Sequence, residues 1–509
     1  MGVRLRAATS VVLLVGFFVL MIGLTVGLAG LAIYALATGR LAGIKLVAVA
    51  GVAIFAIGGA LYKVLKLRSE PHGAVITRAE QPALWQAIDE LAVIANTRGP
   101  DEIRLVPEVN ASVWEDSRLL GLRTGRRYME IGLPLLAGMT IGELRAVLGH
   151  ELGHYSHGHT KYAAVTYRAS MTMAHTVDRL EGALGWLFRM YMKLYFLVAR
   201  SANRAQELQA DVLAVRAAGR TAARTALGKI PAMDLAWTHY NREYVGMVPH
   251  AGRTPQLLMG FHAYLTDDTR RRQLAEVQGE MLDAEPASKY DSHPPVRVRI
   301  ATIDRMTEPD RPADTRPAWA LLVAPEQAIP RLESALLVGD LGPRASWEEI
   351  VRLAGASIAE NNTQVLAEVV KQTGLSRTGS LADVLTAVEQ GQGALIASQV
   401  MEDDLSEQER AEATPEVLTS LVADAISHAL IQARGARFQL DWSGPKLLRL
   451  DNGELLNVPD LVAPAMTAPG QVPMLREWIT RMGVFPASEA PTVVTAPVSP
   501  KWTYDPRVG

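Results

Sequence analysis

The stretch Thr140-Ile-Gly-Glu143-Leu-Arg-Ala-Val-Leu-Gly-His150-Glu151-Leu-Gly-His154 has the form of a buried helix that carries its own start signal. Thr140 followed by Glu143 fits the S/T-x-x-E capping box, and Ile141, Leu144, Val147, Leu148 and Leu152 then recur at helical spacing. Positions i and i+4 lie one above the other on a helix, so His150 and His154 project from one face and can converge on a single ion. With Glu151 between them the string reads H-E-x-x-H: two imidazoles for zinc and a carboxylate placed as general base toward a water on the open coordination position.

Two histidines leave a zinc set one protein ligand short. The metzincin pattern would require Gly at 157 and His at 160, but the chain has His157 and Thr160, so that register fails and His157 and His159 read as polar residues past the helix end. The third ligand is then expected from a carboxylate on another helix. Arg204-Ala-Gln-Glu207-Leu-Gln-Ala-Asp211 offers two acids at i and i+4 in an apolar context of Leu208, Ala210, Val212, Leu213 and Val215. Glu207 can complete a His₂Glu set, and Asp211 can accept the second ring N–H of a ligand histidine; a solvated helix face is the plainer reading of the same pair.

Composition narrows the class. In 509 residues, 51 Lys+Arg stand against 53 Asp+Glu, which gives no basic field for nucleic acid. Cysteine is absent, so a metal has only His and carboxylate to use. From Ala8 to Ala37 the chain is uncharged and longer than the ~20 residues that cross a bilayer, and a second apolar run, Leu46 to Tyr62, follows after a short basic turn. Together they describe a transmembrane helical hairpin in a lipid bilayer, with a cleaved signal peptide as the rival reading of the first arm. Arg4, Arg6, Lys63, Lys66 and Arg68 outnumber Arg40 and Lys45 in the turn, which puts both ends and the catalytic domain in the cytoplasm of a multi-pass cell-membrane protein.

Beyond the anchor, Pro82 opens a helix, and Glu102-Ile-Arg-Leu-Val alternates as a strand before Asn110-Ala111. Gly125-Arg-Arg-Tyr-Met-Glu-Ile-Gly-Leu-Pro134 alternates again, and Pro134 limits it to a sheet edge or a strand end. An edge strand beside the metal helix is where an extended polypeptide substrate adds by main-chain hydrogen bonds; a small sheet with no ligand role is the alternative. Leu184 to Ala199 is apolar but interrupted by Arg189 and Lys193, which favours an interfacial or packed helix over a further span.

The hairpin, Asn110-Ala111, Gly149-His-Glu-Leu-Gly-His154, Glu207-Leu-Gln-Ala-Asp211 and Ser292-His293-Pro-Pro together resemble the zinc metallopeptidase family that holds the bacterial HtpX heat-shock protease and the CAAX prenyl proteases. The resemblance covers roughly residues 1–305 and departs at Asn203, where the family often has Ser. It implies one Zn²⁺ on His150, His154 and Glu207, Glu151 as base, a gluzincin-type core, and cleavage of membrane or membrane-proximal proteins, in bacteria commonly as quality control. It also implies substrate contact at Asn110 and Ala111 and an oxyanion role for His293, for which a structural histidine is the alternative and Arg297 a second candidate. Processing of lipidated C-termini and a membrane scaffold with a non-catalytic zinc core stay open beside proteolysis.

The fold class expected is mainly α with a small β-sheet: a membrane anchor over 1–68, the peptidase domain over 69–306, a linker over 307–317, a separate α+β domain over 318–485 and a disordered tail over 486–509. In that last domain Ser346 and Ser380 read as helix caps, Thr414-Pro415 as the first turn of a helix, and Asn452-Gly453 as a hairpin turn between strands. No sequence signal sets an oligomeric state or assigns this third a role.

Overall fold

A computed structural model describes residues 3–37, 51, 71–116, 125–155, 182–284, 294–308, 310–336, 341–402, 404–444 and 447–484. The expected second hairpin arm (apart from Gly51), His157, His159, His293 and the 486–509 tail lie outside the described residues. The chain is mainly helical with two small sheets and divides into two compact units: Met1–Trp237 with Arg272–Leu337, and Thr238–Arg271 with Val338–Gly509.

In the first unit, helix α1 (Val3–Ala37) contains the one stretch among the described residues long and apolar enough to cross a membrane, Val11–Leu31. A four-stranded sheet follows in the order β1 (Ala74–Ile76), β2 (Glu102–Val106), β4 (Arg127–Gly132), β3 (Ala111–Glu115), with α2 (Pro82–Ile94) between β1 and β2 in sequence. β2 runs parallel to β4, and the two outer strands pair antiparallel. All six residues of β4 are buried, so this central strand is covered on both faces as well as paired on both edges. Pro134 therefore marks a strand end, opening the short helix Leu133–Gly138, while the edges are β1 and β3, the latter beginning at Ala111.

The metal helix expected from the sequence is α3 (Ile141–Gly153). Its capping box is complete: Thr140 Oγ1 accepts from Glu143 N–H at 3.2 Å, and Glu143 Oε2 accepts from Thr140 N–H at 2.9 Å. Two more first-turn donors are satisfied by the segment read as a linker, Ile141 N–H on Arg316 C=O at 2.8 Å and Gly142 N–H on Asp314 C=O at 2.9 Å. That segment is a strap along the start of the helix.

Helix α4 (Gly182–Ala218) runs unbroken through 37 residues and crosses α3 very closely. A Cβ on Gly149 would stand 2.7 Å from the Ala217 methyl, and one on Gly153 would stand 3.0 Å from Ala210 Cα. The apolar first half of α4 packs on α1, with Phe17 and Phe188 rings 5.4 Å apart and Tyr191 Oη donating to Leu13 C=O at 2.7 Å. Helix α5 (Arg220–Glu243) follows, and α6 (Val296–Asp304), entered through Pro294-Pro295, packs back on α4.

The second unit is built on α7 (Trp347–Gln372) and α8 (Glu407–Arg434), joined inside by Asn362 Nδ2 donating to Asp424 Oδ2 at 2.7 Å. Ser346 and Ser380 cap their helices as expected. Pro415 does not open one: α8 starts earlier, at a capping box of Ser406 and Glu409, and carries Pro415 inside. Strands β5 (Arg437–Gln439), β6 (Leu447–Arg449) and β7 (Leu455–Asn457) form an antiparallel meander, with Gly453 at φ 87° in the turn that Asn452-Gly453 announced.

Exchanging the contact methyl across the crossing, with Gly149→Ala and Ala217→Gly together, should leave stability nearly unchanged, since the helix-propensity terms cancel. Gly149→Val alone should destabilise by about 1–3 kcal/mol through overpacking, read by denaturant unfolding. Equal stability of Gly149→Val and wild type would show that this contact does not set the helix spacing.

Candidate active site

His150 and His154 lie at the end of α3, and Glu207 and Asp211 lie in the last three turns of α4. The α3–α4 crossing brings the four together. The two imidazole Nε2 atoms are 3.2 Å apart, and Glu207 places one oxygen 3.4 Å from His150 Nε2 and the other 3.7 Å from His154 Nε2. Asp211 Oδ1 stands 3.2 Å from His150 Nδ1, on the far side of the same ring. The i, i+4 pair read from the sequence is thus not a solvated face: Glu207 and Asp211 are 4% and 2% exposed.

These separations suit a metal. Ligand atoms bound tetrahedrally at about 2.0–2.1 Å from zinc lie about 3.3–3.4 Å from one another, and the separations here, 3.2, 3.4 and 3.7 Å, lie around that value. Glu151 also belongs to the cluster, lying with His150 and His154 inside 4.8 Å, but it is half-buried where Glu207 is enclosed.

Arg299 on α6 completes the site and was not read from the sequence. Its Nε and Nη2 donate to Asp211 at 3.0 and 2.6 Å, and its Nη1 stands 3.4 Å from Glu207 Oε2. Arg297, two residues earlier, is exposed. Alternation of Val and Arg over 296–299 leaves open which arginine turns inward; the phase is fixed by the helix start after Pro295, where proline ends the extended segment.

Burial disfavours a charged His150, yet hydrogen bonds to Asp211 and Glu207 and the charge of Glu151 override it and push its pKa up to about 9, against the opposing charge of Arg299. Burial likewise favours a neutral Asp211, but its bonds to His150 and Arg299 hold the carboxyl below the usual range. The cluster thus sets three carboxyl groups against one guanidinium, with a proton favoured on His150. A divalent cation in place of that proton would bring the formal charges of these groups to zero, a second respect in which they fit zinc.

Residues 79–307 match Peptidase family M48. Over that range the chain is similar to HtpX-like M48 peptidases. The matched range holds α3, Glu207, Asp211 and Arg299, and so the whole cluster. A protease HtpX homolog of Leuconostoc citreum (strain KM20) is 24% identical over 311 residues, 58% of this chain and 96% of that protein. No solved structure matches the chain.

Of the other expected residues, Asn110 is exposed immediately before β3, its carbonyl accepting from Gly132 N–H at 2.6 Å, and Ala111 begins that edge. Among the described residues neither bonds to the cluster. His293 lies outside the described residues.

Asp211→Asn should weaken zinc affinity about 10–100-fold, as loss of a partner behind a ligand histidine does, measured by competition with a chromogenic chelator. Arg299→Met should lower the melting temperature of metal-free protein more than that of zinc-loaded protein, because the ion then compensates carboxylates that Arg299 no longer does.

Proposed function

We propose that this protein is a membrane-anchored zinc endopeptidase that hydrolyses peptide bonds of membrane or membrane-proximal proteins, in protein quality control. The observation that carries the reading is the convergence of His150, His154 and Glu207 at 3.2–3.7 Å with Glu151 beside them, inside the range that matches Peptidase family M48.

His150, His154 and Glu207 would hold the zinc, and Asp211 fixes the His150 tautomer by accepting its Nδ1–H. When bound, zinc supplies Lewis acidity that polarises a carbonyl and acidifies water. Glu151 takes a proton from the water that attacks the scissile carbonyl and delivers it to the leaving amine. Arg299 holds Asp211 and Glu207 in place and offsets part of their buried charge. An extended polypeptide lies along the outer edge of β3, which pairs with no further strand among the described residues, at Asn110-Ala111, where main-chain groups accept it without regard to side chains. His293, three residues before α6, keeps the oxyanion role that the resemblance to HtpX-like peptidases implies.

Two features support a cytoplasmic, membrane-proximal site. Leu13 meets Tyr191 while Phe17 meets Phe188, so α1 and α4 run antiparallel and Glu207 lies beyond the N-terminal end of α1. From Tyr191 to Glu207 the unbroken helix rises about 24 Å, which carries the site clear of the apolar window of α1 on the side of Arg4 and Arg6. Positive-inside orientation assigns that side to the cytoplasm.

Full-length protein purified with zinc should cleave casein in a chelator-sensitive manner. Glu151→Gln should keep the metal and lose cleavage by about 10²-fold or more, the scale of general acid–base catalysis. Glu207→Ala should lose the metal itself. Undiminished proteolysis in Glu151→Gln would end the mechanism, and metal-replete wild type inert toward peptides would favour a scaffold.

A further inference from the structure

Of the two histidines, His154 has the weaker backbone support. It stands at the C-cap of α3, and its N–H reaches His150 C=O at 3.3 Å, longer than the usual bond of about 2.9–3.0 Å. Terminal turns open locally at little cost, and a ligand histidine on such a turn lets go of its ion each time the turn opens. A metal site built there needs that end of the helix held.

Tyr155, the next residue, is held at its main chain, its ring and its hydroxyl. Its carbonyl accepts from Thr97 Oγ1 at 3.0 Å, the Arg127 guanidinium lies 4.6 Å over its ring, and its Oη donates to Val113 C=O at 2.5 Å. The seat of the ring is itself firm. Arg127 is 5% exposed, bonded to Glu115 at 2.9 and 2.7 Å and to Thr97 Oγ1 at 3.0 Å, and also donates to Arg98 C=O. A buried cation bonded in this way is costly to displace. The hydroxyl bond takes nothing from the sheet either. Asn110 C=O accepts from Gly132 N–H and Asp116 N–H donates to Arg126 C=O, so the even-numbered residues of β3 face β4 and the Val113 carbonyl points to the outer edge, where Tyr155 meets it.

We infer that Tyr155 is a positioning residue for the metal: by anchoring the end of α3 to Thr97 and Val113 it keeps His154 on the ion and slows the ion's loss. This rests on the reading of His150, His154 and Glu207 as zinc ligands. Tyr155 acts through its neighbour, since its own hydroxyl is spent on Val113. The strand it grips is the one proposed to take the polypeptide, so the same bond fixes the outer edge of β3 relative to His154.

Tyr155→Phe tests this, because it keeps the ring under Arg127 and removes only the hydroxyl. Full-length protein in detergent would be loaded with zinc and mixed with excess chromogenic chelator, and release followed over time beside the melting temperature of the metal-free form. Expected is unchanged zinc content at saturation and release faster by about fivefold, the worth of one ordinary hydrogen bond. Thr97→Val, which takes the donor from the Tyr155 carbonyl, should also speed release, whereas Thr97→Ser, which keeps a hydroxyl, should release at the wild-type rate. Tyr244→Phe is the control for a merely structural loss: its hydroxyl donates to Asp441 C=O at 2.6 Å in the second unit, so its removal should lower the melting temperature and leave release unchanged. If Tyr155→Phe does not fold, Thr97→Val against Thr97→Ser decides. A wild-type rate in Tyr155→Phe or in Thr97→Val, or equal acceleration in Tyr244→Phe, would overturn the inference. A wild type that takes up no zinc would overturn the reading of the cluster, and this inference with it.

Discussion

The contact of two helix backbones at Gly149 and Gly153 is the constraint on which the site depends. Imidazole and carboxylate side chains are short, so groups from α3 and α4 reach one ion only if the helix axes approach more closely than ordinary side chains allow. Gly149 against Ala217 and Gly153 against Ala210 remove the bulk that would hold them apart. The glycines thus do for this cluster of side chains what the histidines cannot do for themselves. Helix α3 is held at its other end as well, by the capping box and by the strap over 310–317, so its rotation about its own axis is fixed from both termini.

Close approach creates an electrostatic problem that α6 helps to solve. Glu207 and Asp211 are removed from water side by side, and each ion without compensation would cost several kcal/mol. Arg299 meets both, bonding Asp211 through two of its nitrogens, and thereby ties the helix that follows Pro294-Pro295 into the site. The same carboxylates favour a proton on His150, and a divalent ion bound there would have to take that proton's place.

Much of this was legible in the sequence where the signal is local. Thr140 with Glu143, the spacing of His150 and His154, and the i, i+4 pair Glu207 and Asp211 each depend on a single helix, and each has the geometry its spacing implies. What escaped depends on phase or on distant partners. Arg297 and Arg299 cannot be told apart until the start of α6 is known, and the edges belong to β1 and β3 rather than to the Pro134 strand because pairing order is a long-range property. Ala111 to Glu115 is too short and too mixed to declare itself a strand, since its outward face carries no apolar alternation.

The second unit shows the same limit at larger scale. Tyr240, Tyr244 and Tyr264 fall within the M48 match, yet their rings pack with Trp347 and Trp442, which lie beyond it. Tyr244 Oη donates to Asp441 C=O at 2.6 Å, and Arg270 lies 4.6 Å over Tyr264 while donating to Trp442 C=O. Aromatic rings each bury on the order of 150–250 Å², so the core of this unit draws a large share of its apolar area from a segment that family matching assigns to the peptidase. A chain cut at the linker would therefore divide one core into two incomplete halves, leaving Tyr240 and Tyr264 without the tryptophans that cover them. The residues after 337 pack on the matched range through the aromatic side chains of its 238–271 segment.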